Sequence, residues 1–310
     1  MTERTRTWTP AWPCPVASIW STWRRGAGDP TYRVDEAGRH WRALHTPAGP
    51  ATLRVLPRAG PGVVEAAAWG EGADWALASL PALLGADDDP AGFEPLPGHP
   101  VLARAWHAHR HWRVGRGGVV WQALLPAVIE QKVTGQEAFA GYRGLVRRLG
   151  DVAPGPGAEL GLYVPPTPER LRRVPSWEWL RMGVSPQRSD TLMRVVRLAD
   201  RLADLGELPL AQAHRRLRAV PGVGVWTAAE TAQRALGDAD AVSFGDYHVA
   251  RNIGWALTGE ELDDDGLAEL LEPYRGHRYR VQRLLELAGA MRPRRGPRMP
   301  PRRHLPHHFS

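Results

Sequence analysis

The residues with the most chemical content lie between positions 220 and 248. Val220-Pro-Gly-Val-Gly-Val-Trp-Thr-Ala228 places a glycine hairpin between two stretches of helical composition. Asp246 follows 22 residues after Gly224, in Ser243-Phe-Gly-Asp-Tyr-His248. Two glycines let a backbone take positive φ and approach a ligand closely. The helix expected to start near Val225 then offers N–H groups without intrahelical partners and the positive end of its dipole, a combination that attracts anions such as a nucleic-acid phosphate. Gly222, Val223 and Gly224 are the expected backbone contacts, with Thr227 beside them. A Gly-x-Gly hairpin also serves simply to pack two helices, and an Asp at a helix start also serves as an N-cap. The two readings of Asp246 are compatible, because a cap would fix the side chain.

Other blocks accompany the hairpin in order: Val128-Ile-Glu-Gln-Lys-Val-Thr134, Thr167-Pro-Glu-Arg-Leu171 with Met182-Gly183 and the Arg188–Leu192 helix start, Phe244-Gly-Asp-Tyr247, and Glu272-Pro-Tyr-Arg-Gly-His-Arg278. Together they resemble the helix–hairpin–helix DNA glycosylases, most of all the AlkA-type DNA-3-methyladenine glycosylase II, over most of residues 16–290. The resemblance implies a mainly α fold, with a helical core preceded by a small α/β domain carrying an antiparallel sheet. The boundaries expected are 1–95 for the α/β domain, 96–290 for the helical core and 291–310 for a disordered basic tail. It also implies excision of alkylated purines from duplex DNA by hydrolysis of the N-glycosidic bond, with Asp246 catalytic and no cofactor required. Trp226 holds the sixth place of the hairpin counted from Pro221. Lyase-competent relatives carry a Lys there, so no strand cleavage is expected.

Trp226, Tyr247 and Tyr274 are expected to line a base pocket, where an indole face favours a cationic, alkylated purine. Each is equally readable as a core aromatic. Glu230, four residues after Trp226 and so on the same helix face, either faces a cationic base or pairs with an arginine. Lys132 holds the place of the residue that wedges the duplex; its stem could fill the gap while its ammonium meets a phosphate. Gln131 either reaches base edges or makes a core contact. Two alternatives remain open: a glycosylase of the same fold for deaminated or oxidised bases, and a non-catalytic DNA-binding module.

The elements that position these residues follow from periodicity. Short β-prone runs at Thr31–Val34, Trp41–Thr46, Thr52–Pro57 and Val63–Trp69 predict a small antiparallel sheet. Residues 1–15 read as extended, with helices at 16–25 and 72–84. From 99 onward the pattern is helical, in segments at 99–110, 118–133, 135–149, 167–173, 176–182, 187–204, 210–219, 225–236, 246–257, 263–272 and 275–290, with a Pro/Gly-rich loop at 151–168.

Composition narrows the chemistry. Net charge is +7, but residues 291–310 hold six arginines and no acid, so the other 290 residues sum to +1. Bulk charge is therefore weak evidence for DNA binding. Lysine occurs once, as Lys132, so a Schiff-base mechanism would depend on it or on the N-terminal amine. A single cysteine, Cys14, excludes an internal disulfide and a cluster ligated by four cysteines. The histidines, including His107, His109 and His111, form no metal signature. No apolar run spans a membrane and no secretory leader is read, which makes a cytoplasmic monomer without an obligate protein partner the expectation.

Overall fold

The computed structural model describes residues 2–57 and 62–293. Five antiparallel strands form one sheet: β1 (Arg4–Trp8), β2 (Tyr32–Val34), β3 (His40–Thr46), β4 (Gly49–Pro57) and β5 (Val64–Trp69), in the order β1-β5-β4-β3-β2. Four strands match the expected runs closely. The fifth, β1, falls in the segment read only as extended, and its register on β5 pairs Arg4 with Ala68 and Trp8 with Val64.

Period-2 alternation gives the sheet two apolar faces. Leu44, Leu53, Val55, Ala66 and Ala68 face one way, onto the Val16–Trp20, Ala73–Ala78 and Leu80–Leu83 helices. Trp41, Ala43, Ala67 and Trp69 face the other way and are covered by Ala153, Leu162 and Val164. The Pro/Gly-rich stretch read as a loop is thus a lid on the sheet. It carries a two-strand hairpin, Asp151–Val152 with Tyr163–Val164, and a turn of helix at Pro156–Glu159. Trp41 and Trp69 stack beneath it at 5.8 Å and 21°, an arrangement worth roughly 0.5–1.5 kcal/mol beyond area burial.

The longer helices are α1 (Pro100–His109), α2 (Val120–Ile129), α3 (Gly135–Leu149), α4 (Pro186–Arg197), α5 (Leu210–Arg218), α6 (Val225–Thr231), α7 (Val249–Thr258), α8 (Asp264–Leu271) and α9 (Arg278–Leu287). α2 is buried on nearly every side, from Ala123 to Ile129, as a helix apolar all round must be. It runs through the largest core cluster, among Tyr142, Leu145, Leu192, Val195, Ala228 and Ala232. A second helical cluster joins α1, α7, α8 and α9 through Leu102, Ile253, Leu267 and Leu284. Thr134 and Glu137 close a reciprocal capping box at the start of α3. α6 passes without a break into a π-helical turn, Ala232–Leu236. The basic tail expected over 291–310 lies outside the described residues from 294 onward. Of its arginines, Arg292 is described, pairing with Glu261 at 2.5 Å.

Candidate active site

The hairpin between α5 and α6 is a type II turn. The Val223 amide bonds Val220 O at 2.9 Å, Pro221 fills the second position, and Gly222 takes φ +95° at the third, as that turn requires. A Cβ on Gly222 would lie 2.4 Å from Thr191 Oγ1, so α4 comes too close for any side chain there. Gly224 differs: its φ is −85° and a Cβ would meet nothing within 4 Å. What the bare Gly224 provides is an uncovered start to α6, with no side-chain cap on its first-turn N–H groups. Val223 is 3% exposed and anchors the turn in the core; its amide is used within the turn, so Val223 as a backbone phosphate contact is corrected.

The segment after α2 is tied to this hairpin. Gln131 Nε2 donates to Gly222 O at 2.9 Å and to Thr227 Oγ1 at 2.8 Å. Of the two readings of Gln131, the structure shows the internal contact. Buried Arg188 holds the same corner by donating to Ile129 O at 2.7 Å and Gly183 O at 2.8 Å. Arg25 pairs with Glu130 at 2.6 Å; burial nevertheless pushes the Glu130 carboxyl above its ordinary range, with Arg25 only partly offsetting it. Lys132, next in line, is exposed. It takes φ 53°, alone among the described non-glycine residues in being left-handed. A left-handed L-residue costs about 1–2 kcal/mol and persists only where neighbours over-determine it. Here Gln131 on one side and the Thr134 cap on the other do so.

Asp246 sits opposite the hairpin helix. Its Oδ2 accepts from Trp226 Nε1 at 3.2 Å. Its Oδ1 accepts from the amides of His248 at 2.7 Å and Val249 at 3.2 Å, capping the start of α7. Three donors from two chain segments thus hold one half-exposed carboxylate in a single orientation. Gly245, at φ +86°, turns the chain just before it, and its amide donates to Asp264 Oδ2 at 2.8 Å.

Two expected pocket residues are placed elsewhere. Tyr274 is 3% exposed; its hydroxyl bonds His99 Nδ1 at 2.6 Å and accepts from the Leu96 amide at 3.0 Å. Its ring packs beside Phe93, so the Pro-Tyr-Arg segment serves the α1–α9 core, and Tyr274 as a base-stacking residue is corrected. Glu230 is also turned inward, 8% exposed. Its Oε2 pairs with Arg234 Nη1 at 2.7 Å and its Oε1 accepts from Ser243 Oγ at 2.6 Å. The arginine-pairing reading of Glu230 is the one observed, and its place in a base pocket is corrected as well. Burial alone would raise the Glu230 carboxyl, but Arg234 and the Ser243 hydrogen bond more than offset this and hold it below its ordinary range. Tyr247 borders the site but stays 71% exposed, with the Arg251 guanidinium 4.2 Å from its ring centroid.

Ser243, Gln233, Arg234 and Asp264 were missed by sequence reasoning. Arg234 had a signal, its i,i+4 spacing from Glu230. Asp264 had none. Among the described residues no group of three or more His, Cys, Asp or Glu side chains could hold a metal, and no helix is long and apolar enough to cross a membrane.

By sequence, no protein-family model and no curated protein matches the chain. Solved structures do resemble it. A 3-methyladenine DNA glycosylase from Archaeoglobus fulgidus superposes with a TM-score of 0.73 at 17% identity, covering 92% of this chain and 98% of that one. MBOgg1 in complex with a low affinity DNA ligand gives 0.71 at 14% identity, covering 93% and 98%. The 8-oxoguanine glycosylase/lyase of Clostridium acetobutylicum, in complex with double-stranded DNA containing cytosine opposite 8-oxoG, gives 0.68 at 13% identity, covering 94% and 99%. These likenesses extend over nearly the whole of each chain, and the protein has the fold of the helix–hairpin–helix DNA glycosylases.

Proposed function

We propose that this protein is a monofunctional DNA glycosylase that hydrolyses the N-glycosidic bond of alkylated purines in duplex DNA. The observation that carries the reading is the Trp226–Asp246 hydrogen bond beside the Pro221–Gly224 hairpin. It joins a fixed carboxylate to the hairpin helix at a place where an amine would be needed for lyase chemistry. As the bond between the sugar C1′ and the base nitrogen breaks, its electron pair leaves with the base and positive charge builds on the sugar. A carboxylate held in advance stabilises that charge without reorganising. Water then adds to C1′, and Asp246 accepts its proton. Gly222 and Gly224, both exposed, meet a DNA phosphate through backbone amides, while Lys132, projecting from the corner that Gln131 ties to the hairpin, enters the duplex. Trp226 and exposed Tyr247 supply aromatic faces to the extruded base, whose removal from the stack costs a few kcal/mol and less when it is damaged.

A second reading, excision of an oxidised purine, rests on the near-equal fold match to the 8-oxoguanine enzyme. One assay separates the two. Purified protein is incubated with methylated duplex and with duplex carrying 8-oxoguanine; released bases are separated by chromatography, and strand integrity is checked before and after alkali. Release of methylated purine with nicking only after alkali supports the proposal. Release of 8-oxoguanine alone replaces the substrate class, and nicking without alkali replaces the monofunctional mechanism.

A further inference from the structure

We propose that Glu230 and Ser243 form a positioning clamp that sets the Asp246 carboxylate against Trp226. The proposal rests on the reading of Asp246 as the acting carboxylate, and assigns Glu230 a role that is not base contact. The two groups of the site belong to separate segments, Trp226 to α6 and Asp246 to the loop entering α7. Side chains of α6 itself join the two segments at two levels. At the rim, Trp226 Nε1 meets Asp246 Oδ2 at 3.2 Å. One helical turn deeper, Glu230 Oε1 accepts from Ser243 Oγ at 2.6 Å, a short charge-assisted bond of the strong class.

Ser243 is only 1% exposed, and every polar atom it has is used. Its amide donates to Gln282 Oε1 at 3.2 Å. Its hydroxyl donates to Glu230 and accepts from Gln233 Nε2 at 2.9 Å. Its carbonyl accepts from the Asp246 amide at 3.2 Å. The last bond transmits the anchor to the site, because it fixes the backbone of Asp246 directly. Gln233 also donates to Ala241 O at 2.7 Å, so the loop is held on both sides of Ser243. Arg234 completes the clamp from behind. It pairs with Glu230 and donates Nε to Thr22 O at 2.8 Å, fixing which Glu230 oxygen is left for Ser243.

A buried network of this kind could serve stability alone, so the test needs a reading that stability would not move. Full-length Ser243→Ala, Glu230→Leu, Glu230→Gln and Asp246→Asn are compared with the unaltered protein. Three quantities are measured: the single-turnover rate of base release, the Kd for duplex with a tetrahydrofuran abasic site, and the NMR position of the Trp226 indole N–H, assigned with Trp226→Phe. A displacement of about 1 Å at a reacting group can cost on the order of 100-fold, so Ser243→Ala and Glu230→Leu should lower the rate by roughly 10- to 100-fold while Kd stays within about threefold. Glu230→Gln, whose carbonyl can still accept from Ser243, should retain more of the rate than Glu230→Leu. The Trp226 indole signal should move in Ser243→Ala.

Inactive Asp246→Asn beside fully active Ser243→Ala would overturn the clamp and leave the role of Asp246 standing. Active Asp246→Asn would overturn the reading of Asp246 instead. The indole signal needs no substrate; unmoved in Ser243→Ala, it would overturn the clamp whatever the activity. A rate loss matched by an equal loss of DNA affinity would do the same, as the mark of a purely structural role.

Discussion

Gly222→Ala tests the hairpin geometry most sharply, because the structure separates its cost into two parts. At φ +95° an L-residue is disfavoured by about 1–2 kcal/mol. The added methyl would also lie 2.4 Å from Thr191 Oγ1 and 2.8 Å from Thr191 Cγ2, an overpacking worth roughly 1–3 kcal/mol. Stiffening of the unfolded chain returns about 0.4–1 kcal/mol. The net expectation is a loss of about 2–4 kcal/mol, at the severe end for one methyl. Thr191→Ala removes both offending atoms. Its own cost is about 0.5–1.5 kcal/mol, for the hydrogen bond from Thr191 Oγ1 to Gln187 O. Urea unfolding of the two single variants and the double variant then closes a cycle, in which the steric share should reappear as a favourable coupling of about 1–3 kcal/mol. The strain share should remain in the double variant. Additivity of the two substitutions would refute the close approach of α4 to the hairpin, and a Gly222→Ala protein of unaltered stability would refute the turn itself.

Trp226→Phe removes the indole donor while keeping an aromatic face; a hydrogen bond to a charged group is worth about 1.5–3 kcal/mol, so single-turnover base release should fall by about 10- to 100-fold with strand integrity unchanged. The Glu230 carboxyl titrates below its ordinary value of 4.5, so its contribution to stability is complete above the unfolded value and is lost as pH falls through the folded one. Melting temperatures of the unaltered protein and Glu230→Gln should therefore differ at pH 7 and draw together as acidification protonates Glu230 in the fold. Glu130 works the other way. Its raised carboxyl makes the charged form unfavourable in the fold, so acidification from neutrality restores stability there, and a titration of Glu130 at or below 4.5, followed by carboxyl NMR, would show the Arg25 pairing outweighing burial and refute this sign. Burial raises the Cys14 thiol to about 12. Alkylation by iodoacetamide at pH 8 should be slow in the native protein and fast in urea, and equal rates would refute the buried environment.

How much of this was legible beforehand depended on how far apart in sequence the interacting residues lie. The hairpin was readable because a type II turn is specified by four adjacent residues, Val220 to Val223, and Asp246 because it follows at fixed spacing. The Glu230–Arg234 pair was also within reach, one helical turn apart. Ser243 stood in plain view beside Asp246, yet nothing local shows that its hydroxyl meets a helix 13 residues earlier. Tyr274 was misread for the same reason. An aromatic near a helix start suits a pocket and a core equally, and the deciding partner, His99, is 175 residues away. β1 was missed because Arg4–Trp8 has no buried residue to mark a face; it is a strand because β5 offers it an edge.

The lid over Trp41 and Trp69 has a consequence for synthesis of the chain on the ribosome. All five strands are available once residue 69 has been made, but the lid ends at Val164, 95 residues later. At about 5–20 residues per second that interval is roughly 5–20 s. Throughout it the nascent sheet presents two stacked tryptophans and their alanine neighbours uncovered. Arg54, whose guanidinium lies 5.6 Å and 5.4 Å from the Trp41 and Trp69 ring centroids, is a charged group on that face, which by register it shares with Arg33 and Glu65. Charges beside an uncovered apolar strand face oppose association of half-made chains, and they matter most before the lid closes.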